Sequence, residues 1–264
     1  MNAAAVSKYG ERLLAALYPR RCVLCGEVLH GDTWNGAVCR RCASEAERLR
    51  HAPPRLPDTE HFFYALTSAA GAFYYHGCVR HSILLCKRFG RPWYAREMAD
   101  LMAVLVFGAD PAEFPGRRPW YGAVEGFPLY HRIVPVPPRQ RRRLAENLPE
   151  LLARRLGQTL GIPVEHPLIL TRKIRPQKSL DAAQRRRNTL DAYGCRAGTD
   201  LTGKRVLLVD DVITTGSTVS ACALALIAAG AVSVDAVCFA ADEELPRDKQ
   251  RGVTSFFQMQ GDNL

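Results

Sequence analysis

The run Val206-Leu207-Leu208-Val209-Asp210-Asp211-Val212-Ile213-Thr214-Thr215-Gly216-Ser217-Thr218 constrains this chain more than any other segment. Four consecutive apolar residues suit a strand buried on both faces of a parallel sheet. Two carboxylates stand at its C-terminal end, where open α/β sheets bind their ligands. A Thr/Gly/Ser loop follows, and then an apolar helix opens. That order gathers backbone N–H groups, hydroxyls and a helix dipole around one anion, most simply a phosphate. Gly216 lets the backbone approach that anion with no side chain in the way. The adjacent carboxylates can accept hydrogen bonds from vicinal hydroxyls, as on a ribose. An ordinary capped strand-turn-helix needs one Asp, Thr or Ser, which leaves two acids and a whole loop unexplained. A Walker-type loop is a poor match. Gly198-x4-Gly203-Lys204 is followed by Arg205 where Ser or Thr is required, and it precedes a strand instead of opening a helix.

The second strong pattern is Cys22-x2-Cys25, 13 residues, then Cys39-x2-Cys42. Each knuckle points two thiolates at one place, and two knuckles supply the four ligands of a tetrahedral Zn²⁺. Gly26, Gly31 and Gly36 suit the tight turns of such a ribbon. A closed Cys₄ site leaves no position open for substrate, so its predicted role is folding. A redox pair is disfavoured because neither knuckle reads as the start of a helix after a strand. His76, Cys78, His81 and Cys86 match no metal-ligand spacing, and Cys78, Cys86, Cys195, Cys222 and Cys238 read as packing residues. Nine cysteines, four of them in two tight pairs, fit metal binding in a reducing cytoplasm better than a disulfide framework.

Charge adds a third constraint. The 264 residues carry a net +10, and it is concentrated. Residues 132–188 hold 14 Lys/Arg against four acids, while the other 207 residues balance at 22 of each. A partner for that stretch is therefore anionic. Lys8, Glu11 and Arg12 interrupt the N-terminal apolar positions, so residues 8–18 read as a short amphipathic helix and not a secretory signal. The uncharged run from Val212 to Val234 is too rich in Thr, Ser and Gly to span hydrocarbon, so no membrane insertion is expected.

Coarse periodicity fills in the rest. A short strand near Phe73 is followed by helices over about 79–88 and 93–107, with loop at 108–130. A strand at Ile133–Val136, a helix over 146–160 and a strand at 168–170 come next. The chain closes with a strand at 205–209, a helix at 217–229 and a strand at 232–239. The prolines between His51 and Pro57 suggest a boundary. The expected layout is an N-terminal helix and Cys₄ module over 1–57, then an α/β domain with a mainly parallel sheet over 58–264.

Across its full length, Val206–Thr218 resembles the PRPP (5-phosphoribosyl-1-pyrophosphate) signature of type I phosphoribosyltransferases. With the Cys₄ module, the layout resembles the ComF family of competence-associated, phosphoribosyltransferase-like proteins. Tyr75, Arg80, Lys87 and Phe89 are similar to that family's Tyr…Arg…Lys-Phe helix, and Val134-Pro135-Val136-Pro137 to its first-strand loop. Gln177, Leu180, Ala183, Gln184, Arg185, Arg187 and Asn188 are similar to its Gln-Lys-x-Leu…Gln-Arg-x-x-Asn segment. One segment departs: the family's Arg-Gly-Phe-Asn-Gln stands here as Leu144-Ala145-Glu146-Asn147-Leu148, keeping only the Asn.

The resemblance implies PRPP binding with Mg²⁺ through Val209, Asp210, Asp211, Thr214, Thr215, Gly216, Ser217, Thr218, Val136 and Pro137. It places Arg175 and Lys178 on a hood where cations meet leaving pyrophosphate. Two functions follow from different classes. One is phosphoribosyl transfer to an acceptor the sequence does not name. The other is a non-catalytic protein that handles single-stranded DNA with the competence helicase machinery. In that reading Arg141, Arg142, Arg143, Arg185, Arg186 and Arg187 contact the backbone.

Overall fold

A computed structural model describes residues 19–30, 33–89, 93–109, 130–138, 147–171 and 192–250. The predicted helix at 8–18 lies outside these residues. So do Arg175 and Lys178, Arg141, Arg142 and Arg143, and Arg185, Arg186 and Arg187.

In chain order the described elements are β1 (Thr33–Trp34), β2 (Val38–Cys39), α1 (Arg40–Leu49), β3 (Ser68–Tyr74), α2 (Gly77–Phe89) and α3 (Trp93–Phe107). There follow β4 (Arg132–Pro135), α4 (Leu148–Leu160), β5 (Leu168–Leu170), β6 (Tyr193–Cys195), β7 (Arg205–Ile213), α5 (Ser217–Ala228), β8 (Ser233–Ala241) and α6 (Arg247–Gln250). Four strands form one sheet in the order β3-β8-β7-β4, and every pair is parallel. β7 and β8 are central and almost wholly buried, as the apolar runs Val206–Val209 and Ala236–Ala241 within them favour. No helix of the described residues is long and apolar enough to cross a membrane.

Side chains alternate across the sheet and divide the interior into two clusters. On β7, Leu207 and Val209 join α2, α3 and α4 on one face. Val206 and Leu208 join α5 and the β5–β6 hairpin on the other. This parallel sheet between helical layers is the expected fold class.

The Cys module packs into the first cluster. Val23, Leu24, Val38, Ala46 and Leu49 are buried with Val79 and Ile83 of α2 and Met98 of α3. Arg20 also pairs with Glu97 of α3. The proline-containing segment after α1 lies along the β3 edge, through backbone bridges Arg50–Phe73 and Arg55–Ala70. Two local expectations change. β7 runs on through Ile213, so the aspartates sit within the strand and not beyond it. α1 begins directly after β2, so the second knuckle does open a helix after a strand. Cys39 and Cys42 therefore do stand at a strand-to-helix junction, the setting of a redox pair.

Candidate functional site

Asp210 and Asp211 stand near the C-terminal end of β7, and both are more than nine-tenths buried. Neighbouring residues of a strand project to opposite faces, so the two carboxylates meet different surroundings. Asp211 lies on the side of α2, whose Lys87 Nζ donates to its Oδ1 at 2.7 Å. Asp210 Oδ1 accepts the Asp211 backbone N–H at 2.9 Å, which fixes its orientation.

A cavity of about 500 Å³ opens beside the pair. Thr214, Gly216 and Thr218 line one side; Val136, Pro137, Pro138 and Asn147 line the other, with Tyr75 and Lys87 from the α2 side. Gly216 caps α5 in the left-handed region, at φ +78°. A Cβ there would lie 3.0 Å from both the Phe62 carbonyl oxygen and the Phe63 ring, so conformation and space both select glycine.

The loop is held from outside by residues 62–64. Phe62 N–H donates to the Thr215 carbonyl at 2.9 Å, and Tyr64 N–H donates to Ser220 Oγ at 3.0 Å. Across the cavity, Val136 N–H donates to the Val209 carbonyl at 2.9 Å. Asn147 Nδ2 donates to the Val136 carbonyl at 3.2 Å. The one residue of the departing segment that matches the family pattern therefore ties α4 to the first-strand loop.

At the other end of the described chain, the four Sγ atoms of Cys22, Cys25, Cys39 and Cys42 lie within 4.8 Å of one another. Cys25 and Cys39 are 3.7 Å apart, too far for a disulfide. It is close to the ~3.8 Å edge of a tetrahedron with metal–sulfur bonds of about 2.3 Å. All nine cysteines are free thiols. Hydrogen bonds with Cys25 and Cys42 hold the Cys22 thiol below its ordinary range, while contacts with Cys22 and Cys25 push Cys42 above it. Four thiols packed this way can hold a metal ion.

Residues 145–263 match the family described as phosphoribosyl transferase domain. Over 116 residues the chain is 38% identical to DNA utilization protein YhgH of Escherichia coli O157:H7, covering 43% of this chain and 50% of the relative. Over 97 residues it is 38% identical to Competence protein F of Haemophilus influenzae, covering 35% of this chain and 42% of the relative. These matches support the resemblance to the ComF family of phosphoribosyltransferase-like proteins. It spans about half the length of the curated relatives it matches. A purine phosphoribosyltransferase from Pyrococcus horikoshii aligns at 23% identity with a TM-score of 0.29, covering 45% of this chain and 68% of that one.

The structure brings Val136, Pro137, Asp210, Asp211, Thr214, Gly216 and Thr218 to one cavity. Thr215 and Ser217 are not among the lining residues, and their exposed hydroxyls lie 2.9 Å apart. Val209 is wholly buried, and its carbonyl contributes by holding the facing loop. Three features escaped the spacing argument: the Lys87–Asp211 pair, the Asn147 tie and Tyr193 in the lining. In the sequence only the family resemblance marks Lys87 and Asn147, and it gives them no role. No local pattern signals Tyr193.

Proposed function

We propose that the cavity beside Asp210 and Asp211 binds PRPP, and that this chain transfers its phosphoribosyl group to an acceptor. The carrying observation is the single cavity that joins the carboxylate pair, the Thr214–Thr218 loop at the α5 N-terminus and the facing Val136–Pro138 backbone. In this reading the loop and helix dipole hold the 5′-phosphate. Asp210 and Asp211 accept hydrogen bonds from the ribose hydroxyls, with Lys87 fixing Asp211. Main-chain groups of Val136 and Pro137 face the pyrophosphate. The bond from ribose C1 to pyrophosphate breaks with its electron pair on the leaving oxygen, while the acceptor bonds to C1 and gives up a proton.

Among the described residues, the charged side chains lining the cavity are two aspartates and one lysine. A pyrophosphate placed there needs further positive charge. Mg²⁺ supplies it when bound, and the chain's nearest oxygen donors for that ion are Asp210 and Asp211. Arg175 and Lys178 are the proposed cations for the leaving group. The test is calorimetry with PRPP and Mg²⁺, expected to show saturable binding that Asp210→Asn combined with Asp211→Asn abolishes. Absent binding, or equal binding by the double variant, overturns the reading.

A second reading is favoured by the relatives' names, DNA utilization protein and Competence protein F, and by the local +10 of residues 132–188. In it the chain handles single-stranded DNA during uptake in the cytoplasm, alongside the competence helicase machinery, whether or not it turns PRPP over. Single-strand affinity should then fall steeply with salt, and fall again when Arg185, Arg186 and Arg187 become alanine. Affinity indifferent to salt counts against it. For the Cys₄ cluster we propose structural Zn²⁺, held by Cys22, Cys25, Cys39 and Cys42, with about one equivalent in freshly purified reduced protein.

A further inference from the structure

Lys87 reaches Asp211 from the last turn of α2, and the opposite end of that helix is held by the Cys module. Glu45 of α1, three residues after Cys42, is 1% exposed. Its Oε1 accepts the backbone N–H of Cys78 at 3.3 Å, in the first turn of α2. That N–H is one of the four that a helix start leaves without an internal partner. The carboxylate reaches it because position 77 is glycine: a Cβ there would overlap Glu45 Oε1. Glu45 Oε2 has no hydrogen-bond partner among the described residues. A buried carboxylate engaged through one oxygen is costly to keep as packing alone.

Between the two ends one face of α2 is packed into the apolar interior. Cys78, Val79, Ile83 and Cys86 are buried in the same apolar cluster as Leu24, Ala46 and Leu49 of the module. Nine residues separate Cys78 from Lys87, a rise of about 13 Å. A helix fixed at its first turn and along one face carries any shift at that turn to its last.

We infer that Glu45 is a positioning residue for the candidate site: by capping α2 it sets Lys87 on Asp211, and so couples the Cys module to ligand binding. The coupling rests on the proposed PRPP reading for its function, though not for its geometry. Lys87 is the one cation among the described residues that line the cavity, so its placement governs how an anionic ligand is received. The module then has a role at the site beyond folding, although none of its described residues lines the cavity.

The experiment is a double-mutant cycle on the full chain with its metal, using Glu45→Ala, Lys87→Met and both, with PRPP and Mg²⁺ titrated by calorimetry. Each single change is expected to weaken binding about tenfold, and the double no more than either single, because both remove one charge-assisted contact. Glu45→Gln keeps an acceptor oxygen for Cys78 N–H and should restore binding to near wild type. Equal weakening by Glu45→Ala in both backgrounds means a general loss of structure and overturns the inference. So does a folded Glu45→Ala that binds as wild type does. If the alanine variant does not fold, Glu45→Asp, one methylene shorter, takes its place in the cycle. A second readout needs no ligand: reductive methylation of Lys87, followed by mass spectrometry against Lys204. Lys87 should label slowly in wild type and severalfold faster in Glu45→Ala. Unchanged labelling overturns the coupling. Faster labelling in a protein that binds no PRPP leaves the coupling standing and removes the PRPP reading.

Discussion

Gly216 shows how one position serves two requirements at once. Its φ of +78° disfavours any side chain, and Phe62 and Phe63 close over its Cα. Gly216→Ala should destabilise the chain by about 1–2 kcal/mol from the backbone alone. It should also displace the 62–64 segment that holds the loop, so denaturant melts and PRPP titrations should both move.

Away from the cavity, a buried histidine and a buried glutamate share one proton. His51 Nδ1 lies 3.1 Å from Glu243 Oε1, and the two side chains are 3% and 4% exposed. Burial, helped by Glu60, pushes the Glu243 carboxyl up to about 7. Burial, helped by Lys249 and His61, pushes His51 down to about 4. Between the ordinary values of 4.5 and 6.5, folded and unfolded chains each hold one proton on the pair: on Glu243 when folded, on His51 when unfolded. The pair's contribution to stability is then flat. From pH 6.5 to 7 the folded state keeps a proton the unfolded state has lost, so stability falls as pH rises. Single changes should uncover opposite slopes. Glu243→Gln leaves His51, and stability should rise with pH from 4 to 6.5. His51→Gln leaves Glu243, and stability should fall with pH from 4.5 to 7. Thermal melts at pH 5 and pH 7 distinguish the two, and equal slopes in both variants would refute the assignment.

Asn147 belongs to the start of an element more than to itself. It occupies the N-cap of α4, yet its side chain makes no capping bond and turns instead to the Val136 carbonyl. Asn147→Ala should cost about 1 kcal/mol in folding, the usual worth of one such bond. A loosened Val136–Pro138 backbone should weaken PRPP binding by more than that, which calorimetry beside a denaturant melt can separate. At this level the sequence was readable where one period dominates. α3 over Trp93–Phe107 and β5 over Leu168–Leu170 match their expected bounds, because their apolar spacing is unbroken. The β1–β2 hairpin, α1 and β6 were not anticipated. The hairpin strands are two residues each, too short for alternation to show, and β6 is Tyr193-Gly194-Cys195, whose central glycine leaves no apolar run. α1 has the sequence RRCASEAERL, whose apolar positions were hidden inside the reading of its cysteine. β7 looked shorter than it is because Asp210 and Asp211 resemble a strand end, whereas pairing with β8 continues to Ile213.

Across the whole molecule, the Cys module and the face of the sheet that carries α2 share one apolar interior. Removing a metal from the Cys₄ cluster should therefore lower the melting temperature of the entire chain. Calorimetry of chelator-treated, reduced protein should show one cooperative transition displaced downward, as expected when a metal site is coupled to folding. Two separate transitions, with only the smaller one moved, would contradict a shared interior.

Two constellations could be read from the chain alone: the paired cysteine knuckles, and the apolar strand that leads through two aspartates into a Thr/Gly/Ser loop. Both are local, since the chemistry follows from residue type and spacing over a few turns of backbone. The contacts that turn these pieces into a site are not local. Lys87 and Asp211 are 124 residues apart, and Glu45 and Cys78 are 33 apart. Each depends on which face of a helix meets which face of the sheet. Spacing along the chain does not encode that choice; it arises when two apolar surfaces bury each other, and only then does Lys87 meet Asp211.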